Sequence, residues 1–194
     1  MAIIFPYVTG KFTAYEGDKI TTTVSLAVSL TDDYTEKKPI GNIMVTIKEG
    51  DIKAFKNLSG YCLFNDFAPG NYNLLIESEY YFLQETPVNI PQPDPKNPVV
   101  EISLKPIPAY PFPGYATLAR GLISDGSPVA NAQVEVVGKP IKTLTDEKGE
   151  FVLYFRGIKQ VNITIEIKRG GSTKSVNTTI EEGKTVSLGI VSFP

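Results

Sequence analysis

Short runs of strict apolar–polar alternation constrain the fold of this chain more than any other feature of its sequence. In residues 160–168, Val and Ile alternate with Asn, Thr, Glu and Lys. Residues 19–30 repeat the pattern, with one face that holds Ile20, Val24, Leu26, Val28 and Leu30. A period of two in β-branched residues is typical of strands with one face on a core and one in water. Similar runs, separated by turn signals, occur at 43–47, 72–76, 100–104, 149–155 and 184–190. The pattern predicts an all-β sandwich architecture.

An internal repeat predicts two copies of one strand-rich unit. The sequence PIGNIMVTI at 39–47 aligns with PVANAQVEV at 128–136, a shift of 89 residues, and the same shift continues without a gap. Gly60 then falls on Gly149, and the alternating apolar positions stay in phase. Each copy is long enough to form a small domain.

Proline marks the predicted boundary between the copies. Residues 105–114, KPIPAYPFPG, hold four prolines, and proline is confined to edges and linkers in β proteins. We predict a divergent prealbumin-like sandwich with an N-terminal arm at 1–106, a stiff, packed hinge at 107–114 and a second sandwich at 115–194.

The second copy resembles a known family. The sequence GLISDGSPVANAQVEV at 121–136, followed by TDEKGEFVLYF at 145–155, is similar to the carboxypeptidase regulatory-like domain, also called the prealbumin-like or transthyretin-like domain. The first copy shares the resemblance only through the internal repeat, because Ser59-Gly60-Tyr61-Cys62 stands where the family has an acidic turn and Phe. The resemblance implies two tandem seven-stranded prealbumin-like or Ig-like β-sandwiches, a fold that usually serves as a non-catalytic accessory or adhesive module.

Missing residue types argue against catalysis. The chain has no histidine, which removes the Ser-His-Asp and Cys-His constellations and the commonest metal ligand. Its one cysteine, Cys62, cannot form an intramolecular disulfide or a zinc cluster. The alternation places Cys62 inward, so we expect a buried structural thiol. We predict no catalytic, metal-binding or cofactor-binding residues, no cofactor, and no enzymatic activity.

The stretch TDEKGEF at 145–151 is the one acidic cluster that needs an interpretation. Asp146, Glu147 and Glu150 could be read as a calcium loop or as an acid pair for glycoside hydrolysis. The equivalent turn of the first copy, at 57–60, keeps the glycine and has no carboxylate. A calcium loop also needs about six alternating oxygen ligands. We therefore predict a hairpin turn that Asp146 caps and that needs Gly149 for its backbone conformation.

Charge and hydropathy bear on partners and location. A net charge of −2 argues against a nucleic-acid partner. The apolar stretch near the start is far shorter than the roughly 20 residues of a membrane span, so we expect no membrane insertion. The same stretch lacks the features of a signal peptide. From this we expect a cytoplasmic location, or a particle assembled in the cytoplasm; the alternative is that a leader peptide has been removed.

Aromatic residues provide the candidate partner-binding positions. Three adjacent aromatics at 80–82 cannot all face one core, because strand faces alternate. They are either exposed or buried against the hinge, and the sequence leaves both readings open. The arm at 2–12 could add a strand to a neighbour or fold back. The candidate partner-binding residues are Ile3, Phe5, Tyr7, Tyr80, Tyr81, Phe82, Tyr110 and Phe112.

These observations favour a non-catalytic structural or adaptor protein that binds other protein subunits through surfaces and edge strands. We expect it to be a subunit of a larger assembly. The segment at 110–121 resembles proteins of phage-tail-like injection particles, which are one such setting. The alternative is a secreted carbohydrate- or surface-binding adhesive module, for which the sequence offers no specific motif.

Overall fold

The computed structural model of the protein describes residues 22–94 and 96–193. None of these described residues is helical, so the predicted all-β fold is confirmed. The strands of the first half are β1 (Val24–Asp32), β2 (Ile43–Ile47), β3 (Ile52–Lys53), β4 (Phe55–Lys56), β5 (Cys62–Asn65), β6 (Gly70–Ser78), β7 (Gln84–Ile90) and β8 (Val99–Leu104). Those of the second half are β9 (Thr117–Ser124), β10 (Gln133–Val136), β11 (Lys142–Leu144), β12 (Glu150–Phe155), β13 (Gln160–Arg169), β14 (Ser172–Glu181) and β15 (Thr185–Ser192).

Strands β1–β8, here called unit one, form two sheets with the orders β4-β5-β1-β8 and β3-β2-β6-β7. The chain changes sheet at Ala54, since β3 pairs with β2 whereas β4 pairs with β5. Inward side chains of the two sheets form one core, because successive residues of a strand point to opposite faces. Its fully buried members include Leu26, Val28, Ile47, Phe64, Leu74, Ile76 and Leu104.

Strands β9–β15, here called unit two, form sheets with the orders β12-β9-β15 and β11-β10-β13-β14. Their core includes Ile123, Val134, Phe151, Leu153, Ile165 and Ile167. Equivalent strands have equivalent neighbours in the two units. In each unit the first described strand pairs in parallel with the last, as Ala27 with Val99 and Leu118 with Thr185 show. The boundaries 1–106, 107–114 and 115–194 stay a prediction.

The first predicted strand needs a correction. The alternation at 19–30 placed Val24 on the same inward face as Leu26 and Val28. Leu26 and Val28 are fully buried, but Val24 is 41% exposed. The pairing of β1 with β5 shifts register between Val24 and Leu26, which is a β-bulge or similar irregularity. A bulge adds a residue to one strand and so reverses the face of the residues before it.

Candidate functional site

The TDEKGEF segment is a turn, as predicted, but it is not a hairpin, because β11 pairs with β10 and β12 pairs with β9 in the other sheet. The Oδ1 atom of Asp146 accepts the N–H groups of Lys148 and Glu150, both at 2.9 Å. Gly149 has a φ of 75° and donates its N–H to the carbonyl of Asp146 at 3.0 Å. A Cβ atom at Gly149 would lie 2.5 Å from the carbonyl oxygen of Ile123. The turn therefore requires glycine both for its backbone angle and for space.

The same turn occurs in unit one without a carboxylate. Asn57 Oδ1 accepts the N–H of Tyr61 at 2.9 Å, and Gly60 has a φ of 94°. Among the described residues, no three His, Cys, Asp or Glu side chains are grouped so that they could hold a metal ion. Cys62, at the start of β5, is buried as predicted, and burial raises the pKa of its thiol.

A buried carboxylate marks the point where the two units meet. Asp32, the last residue of β1, has no exposed surface. Its Oδ1 atom accepts the N–H groups of Tyr34 at 2.7 Å and Thr35 at 3.2 Å. Its Oδ2 atom accepts the hydroxyls of Tyr81 at 3.0 Å and Tyr110 at 2.5 Å. Four donors satisfy this carboxylate, as burial of a charge demands.

The tyrosines of this network are held as neutral donors. Burial and the negative charge of Asp32 raise the pKa of Tyr81 to about 12, although the N–H of Ile40, which donates to the same hydroxyl at 3.0 Å, acts in the opposite direction. Burial, followed by the hydrogen bond to Asp32, also raises the pKa of Tyr110. A phenolate next to the carboxylate would repel it and could donate no hydrogen bond. We name Asp32, Tyr81 and Tyr110 the Asp32 network.

Two side chains at the end of β12, Tyr154 in the strand and Arg156 just after it, reach from unit two to the loop that follows β1. The hydroxyl of Tyr154 donates to the carboxylate of Asp33. Arg156 donates to the carbonyl oxygen of Tyr34 at 2.6 Å and pairs with Glu36. The Arg156 and Glu36 side chains are 44% and 75% exposed, so this ion pair contributes little free energy. The bonds to main-chain and carboxylate oxygens instead fix the orientation of unit two.

Aromatic rings fill the space beside these bonds. The Tyr34 ring packs edge-on against the rings of Tyr110, Phe112 and Tyr154, with centroid distances of 5.9, 4.9 and 5.4 Å. Arg120 lies over the Phe112 ring, 5.5 Å from its centroid. Edge-to-face packing of this kind adds to the free energy gained from burial alone. Below the rings, the small apolar cluster of Ala116, Leu118 and Val152 is buried.

The predicted partner-binding residues divide into three groups. Tyr81 and Tyr110 are only 2% and 5% exposed, so no partner can reach them and that prediction is corrected. Tyr81 instead forms an isolated antiparallel β-bridge with Pro106. Of the two alternatives for residues 80–82, this agrees with burial against the hinge. The half-buried residues are Tyr80, Phe82 and Phe112, and their role in partner binding stays a prediction. Ile3, Phe5 and Tyr7, with the arm at 2–12, lie outside the described residues.

Sequence reasoning missed Asp32, Asp33, Tyr154 and Arg156. A signal for Asp32 was present, because continuing the alternation of Leu26, Val28 and Leu30 by one step places Asp32 on the inward face. A carboxylate at an inward position must find several donors. The other three residues meet only through the packing of two units, for which no local pattern exists.

No protein-family model and no curated protein matches the chain. Among solved structures, it resembles a type II cohesin–X-module–dockerin complex of Acetivibrio cellulolyticus at 18% identity, with 40% of this chain and 56% of that one covered and a TM-score of 0.33. It also resembles the minor pilin of Streptococcus agalactiae at 15% identity, with 88% of this chain and 95% of the pilin covered and a TM-score of 0.33. A shaft pilin of Lactobacillus rhamnosus GG is 12% identical, with 89% of this chain and 97% of the pilin covered and a TM-score of 0.32.

Identities and TM-scores this low carry no assignment of family, partner or activity. The chain spans about half the length of the cohesin–dockerin protein chain that it matches. The resemblance to the carboxypeptidase regulatory-like domain is not confirmed, while the β-sandwich that it implied is supported. The prediction of a cytoplasmic location is contradicted, since the solved structures that the chain resembles include pilins. Within the described part of the chain, no helix has the length and apolarity to cross a membrane.

Proposed function

We propose that the chain is a non-catalytic structural or adaptor protein that acts through protein–protein contacts as a subunit of a larger assembly. The observation that carries this proposal is the junction between the units. The least common feature of the structure, a fully buried carboxylate with two tyrosine donors, lies where β1 meets the segment that leads into unit two.

The groups of the Asp32 network hold a fixed geometry and do not present an accessible base. A general base needs an accessible lone pair facing a substrate. Each carboxylate oxygen of Asp32 instead accepts two donors within the protein, and the Tyr81 and Tyr110 hydroxyls are both engaged. The arrangement is therefore better suited to holding a fixed geometry than to catalysis.

A fixed orientation of the two units favours binding of one partner by the surfaces of both units together. Two units that moved independently would lose orientational freedom when both touched one partner, and that loss weakens binding. Tyr154 and Arg156 reduce the loss, since they already hold unit two against the loop at 33–36 before any partner arrives. Edge strands of both units then stand at set positions for neighbouring subunits.

Purification from the native cell tests the proposal. The tagged wild-type chain should be recovered with partner proteins at fixed stoichiometry after mild cross-linking. The double variant Tyr154→Phe with Arg156→Ala should recover less of them while both units stay folded. Lys184→Ala is the matched control, because Lys184 pairs with Glu181 inside unit two. Recovery of the wild-type chain alone would overturn the proposal. A phage-tail-like particle is a narrower version, which electron microscopy of the purified assembly would test.

A surface- or carbohydrate-binding adhesive module is the second candidate. Two aromatic rings favour it, because Tyr115 is 78% exposed and Phe55 is 61% exposed. Exposed rings of this kind offer flat apolar faces on which a sugar can stack. A glycan array with the wild-type chain and the Tyr115→Ala and Phe55→Ala variants distinguishes the candidates. Sugar binding that is lost in either variant would support this second function, and no binding would remove it.

A further inference from the structure

A groove of about 380 Å³ separates the two units on a surface that the Asp32 network does not line. From unit one, the groove is lined by the segment between β6 and β7 and by the end of β8. From unit two, it is lined by β10 and the whole of β11. Both β7 and β11 stand at the edge of their sheets, so each has one side without a neighbouring strand in the described structure.

The backbone of β11 offers hydrogen-bonding groups to this groove. Val136 donates its N–H to the carbonyl of Ile141 at 2.9 Å, and Thr145 donates to Ala132 at 3.0 Å. These two bonds set the phase of the β10–β11 ladder. Bonding and non-bonding positions alternate along an antiparallel strand. The backbone N–H and C=O groups of Thr143 therefore point towards β10, whereas those of Lys142 and Leu144 point away from β10.

A bond between the units agrees with this phase. The Nζ atom of Lys105 donates a hydrogen bond to the carbonyl oxygen of Lys142 at 3.3 Å. This carbonyl group therefore points away from β10 and towards unit one. The N–H groups of Lys142 and Leu144 point to the same side by alternation. Outward-pointing backbone groups at an edge are a template on which an extended segment can add as another strand.

The side chains of the groove define what such a segment must carry. Leu83 is 68% exposed and Leu144 is 41% exposed, which gives an apolar wall with no cover among the described residues. Lys105 and Lys142 supply two cations, and neither forms an ion pair within the described parts of the chain. No carboxylate lines the groove. The charge that complements this lining is negative.

We propose that this groove binds an extended acidic segment of a partner protein, with one apolar side chain between the carboxylates. The apolar side chain contacts Leu83 and Leu144, the carboxylates meet Lys105 and Lys142, and the backbone pairs with β11. Same-face residues of a strand are two positions apart, so the pattern is acid, any residue, apolar, any residue, acid. The inference rests on the proposed function and gives that function a partner chemistry.

A short peptide of this pattern tests the groove directly. The probe is acetyl-Glu-Thr-Leu-Thr-Glu-amide, titrated into the full ¹⁵N-labelled chain and followed by amide chemical shifts. We expect the amide signals of Lys142 and Leu144 to move to lower field as they become donors. The matched control peptide replaces both Glu with Lys, and it should bind at least about ten-fold more weakly because the groove is cationic.

Two surface variants make the result specific. Lys142→Glu and Leu83→Ser should each weaken the probe about five-fold or more, since they remove a charge and an apolar contact. Ile190 is 72% exposed and does not line the groove, so Ile190→Ser should leave the affinity unchanged. Shifts that map elsewhere, equal binding of the Lys peptide, or no binding would each overturn the inference.

The groove and the proposed function can fail separately. If the native assembly is recovered with the Lys142→Glu and Leu83→Ser variants as well as with the wild type, the chain still binds proteins but not through this groove. If the wild-type chain has no protein partner at all, the proposed function fails whatever the peptide does.

Discussion

The hydroxyl of Tyr110 donates a hydrogen bond of 2.5 Å to the Oδ2 atom of Asp32. Asp32 ends the first described strand, and Tyr110 lies in the proline-rich segment that leads into β9. The same oxygen accepts the hydroxyl of Tyr81 at 3.0 Å. One buried carboxylate thereby connects the first described strand of unit one to the segment that leads into unit two, and it makes several expectations testable.

Asp32→Asn should lower the free energy of unfolding by about 1–3 kcal/mol, the cost of leaving buried polar groups unpaired. The amide nitrogen of Asn is a donor and would face groups that are donors themselves. Urea denaturation followed by tyrosine fluorescence measures the change. Asp51→Asn is the matched control, because Asp51 is exposed in a turn with a φ of 53° that Asn adopts readily. Equal losses in both variants would contradict a special role for Asp32.

The Asp32 network should make the protein sensitive to alkali. Burial and then Asp32 raise the pKa of Tyr81 from 10.0 in the unfolded chain to about 12 in the folded protein. The folded state therefore favours the protonated phenol. This stabilisation is complete below pH 10 and is lost as the pH rises from about 10 to about 12. Urea midpoints across that window should fall, and they should fall less steeply in Tyr81→Phe. An unchanged slope in that variant would show that Tyr81 does not titrate in this way.

The contact between β12 and the loop at 33–36 should control how the units move relative to each other. Tyr154→Phe combined with Arg156→Ala removes the bonds from unit two to Asp33 and Tyr34. The two units should then tumble with separate correlation times in ¹⁵N relaxation, while their chemical shifts away from the junction stay the same. In Lys184→Ala the common correlation time should persist, and separate tumbling there as well would remove the explanation.

The repeated turn provides a matched pair of glycine substitutions. Gly60→Ala forces a residue with a side chain into a φ of 94°, which costs about 1–2 kcal/mol, and its nearest neighbour is the flexible end of Lys38. Gly149→Ala carries the same kind of strain and also brings Cβ to 2.5 Å from the carbonyl oxygen of Ile123. We expect its loss in thermal or urea denaturation to exceed that of Gly60→Ala by about 1–3 kcal/mol. Equal losses would mean that the backbone near Ile123 moves aside freely.

Strands with one face on a core were the easiest part of the fold to predict. The run at 160–168 became β13, and the one at 43–47 became β2. Strands β7 and β14 were not predicted, although they are seven and ten residues long. Both are edge strands that bury little, and β7 also contains Pro87, which an edge tolerates. Their apolar pattern is weak because an edge needs fewer apolar contacts.

The junction was only partly within reach of the sequence. The proline-rich hinge was predicted to be packed, and its Tyr110 is buried. The aromatics at 80–82 left two readings open, because alternation assigns faces without saying what covers them. Arg156 could not be found at all, since its partners lie about 120 positions away and meet it only after both units have folded.

The parallel pairing of first and last strands gives each unit a mechanical character. β1 and β8 run side by side from Ala27 and Val99 to Asp32 and Leu104, and β9 and β15 repeat the arrangement. Among the described residues, the first of these strands begins each unit and the last ends it. Tension along the chain therefore pulls two neighbouring strands in opposite directions along their own length. The hydrogen bonds between them are then loaded together in shear, in an unbroken ladder in unit one and in a ladder with a register shift between Ser187 and Ile190 in unit two. Each unit should therefore resist stretching through its parallel strand pair, and the two pairs lie one after the other along the chain.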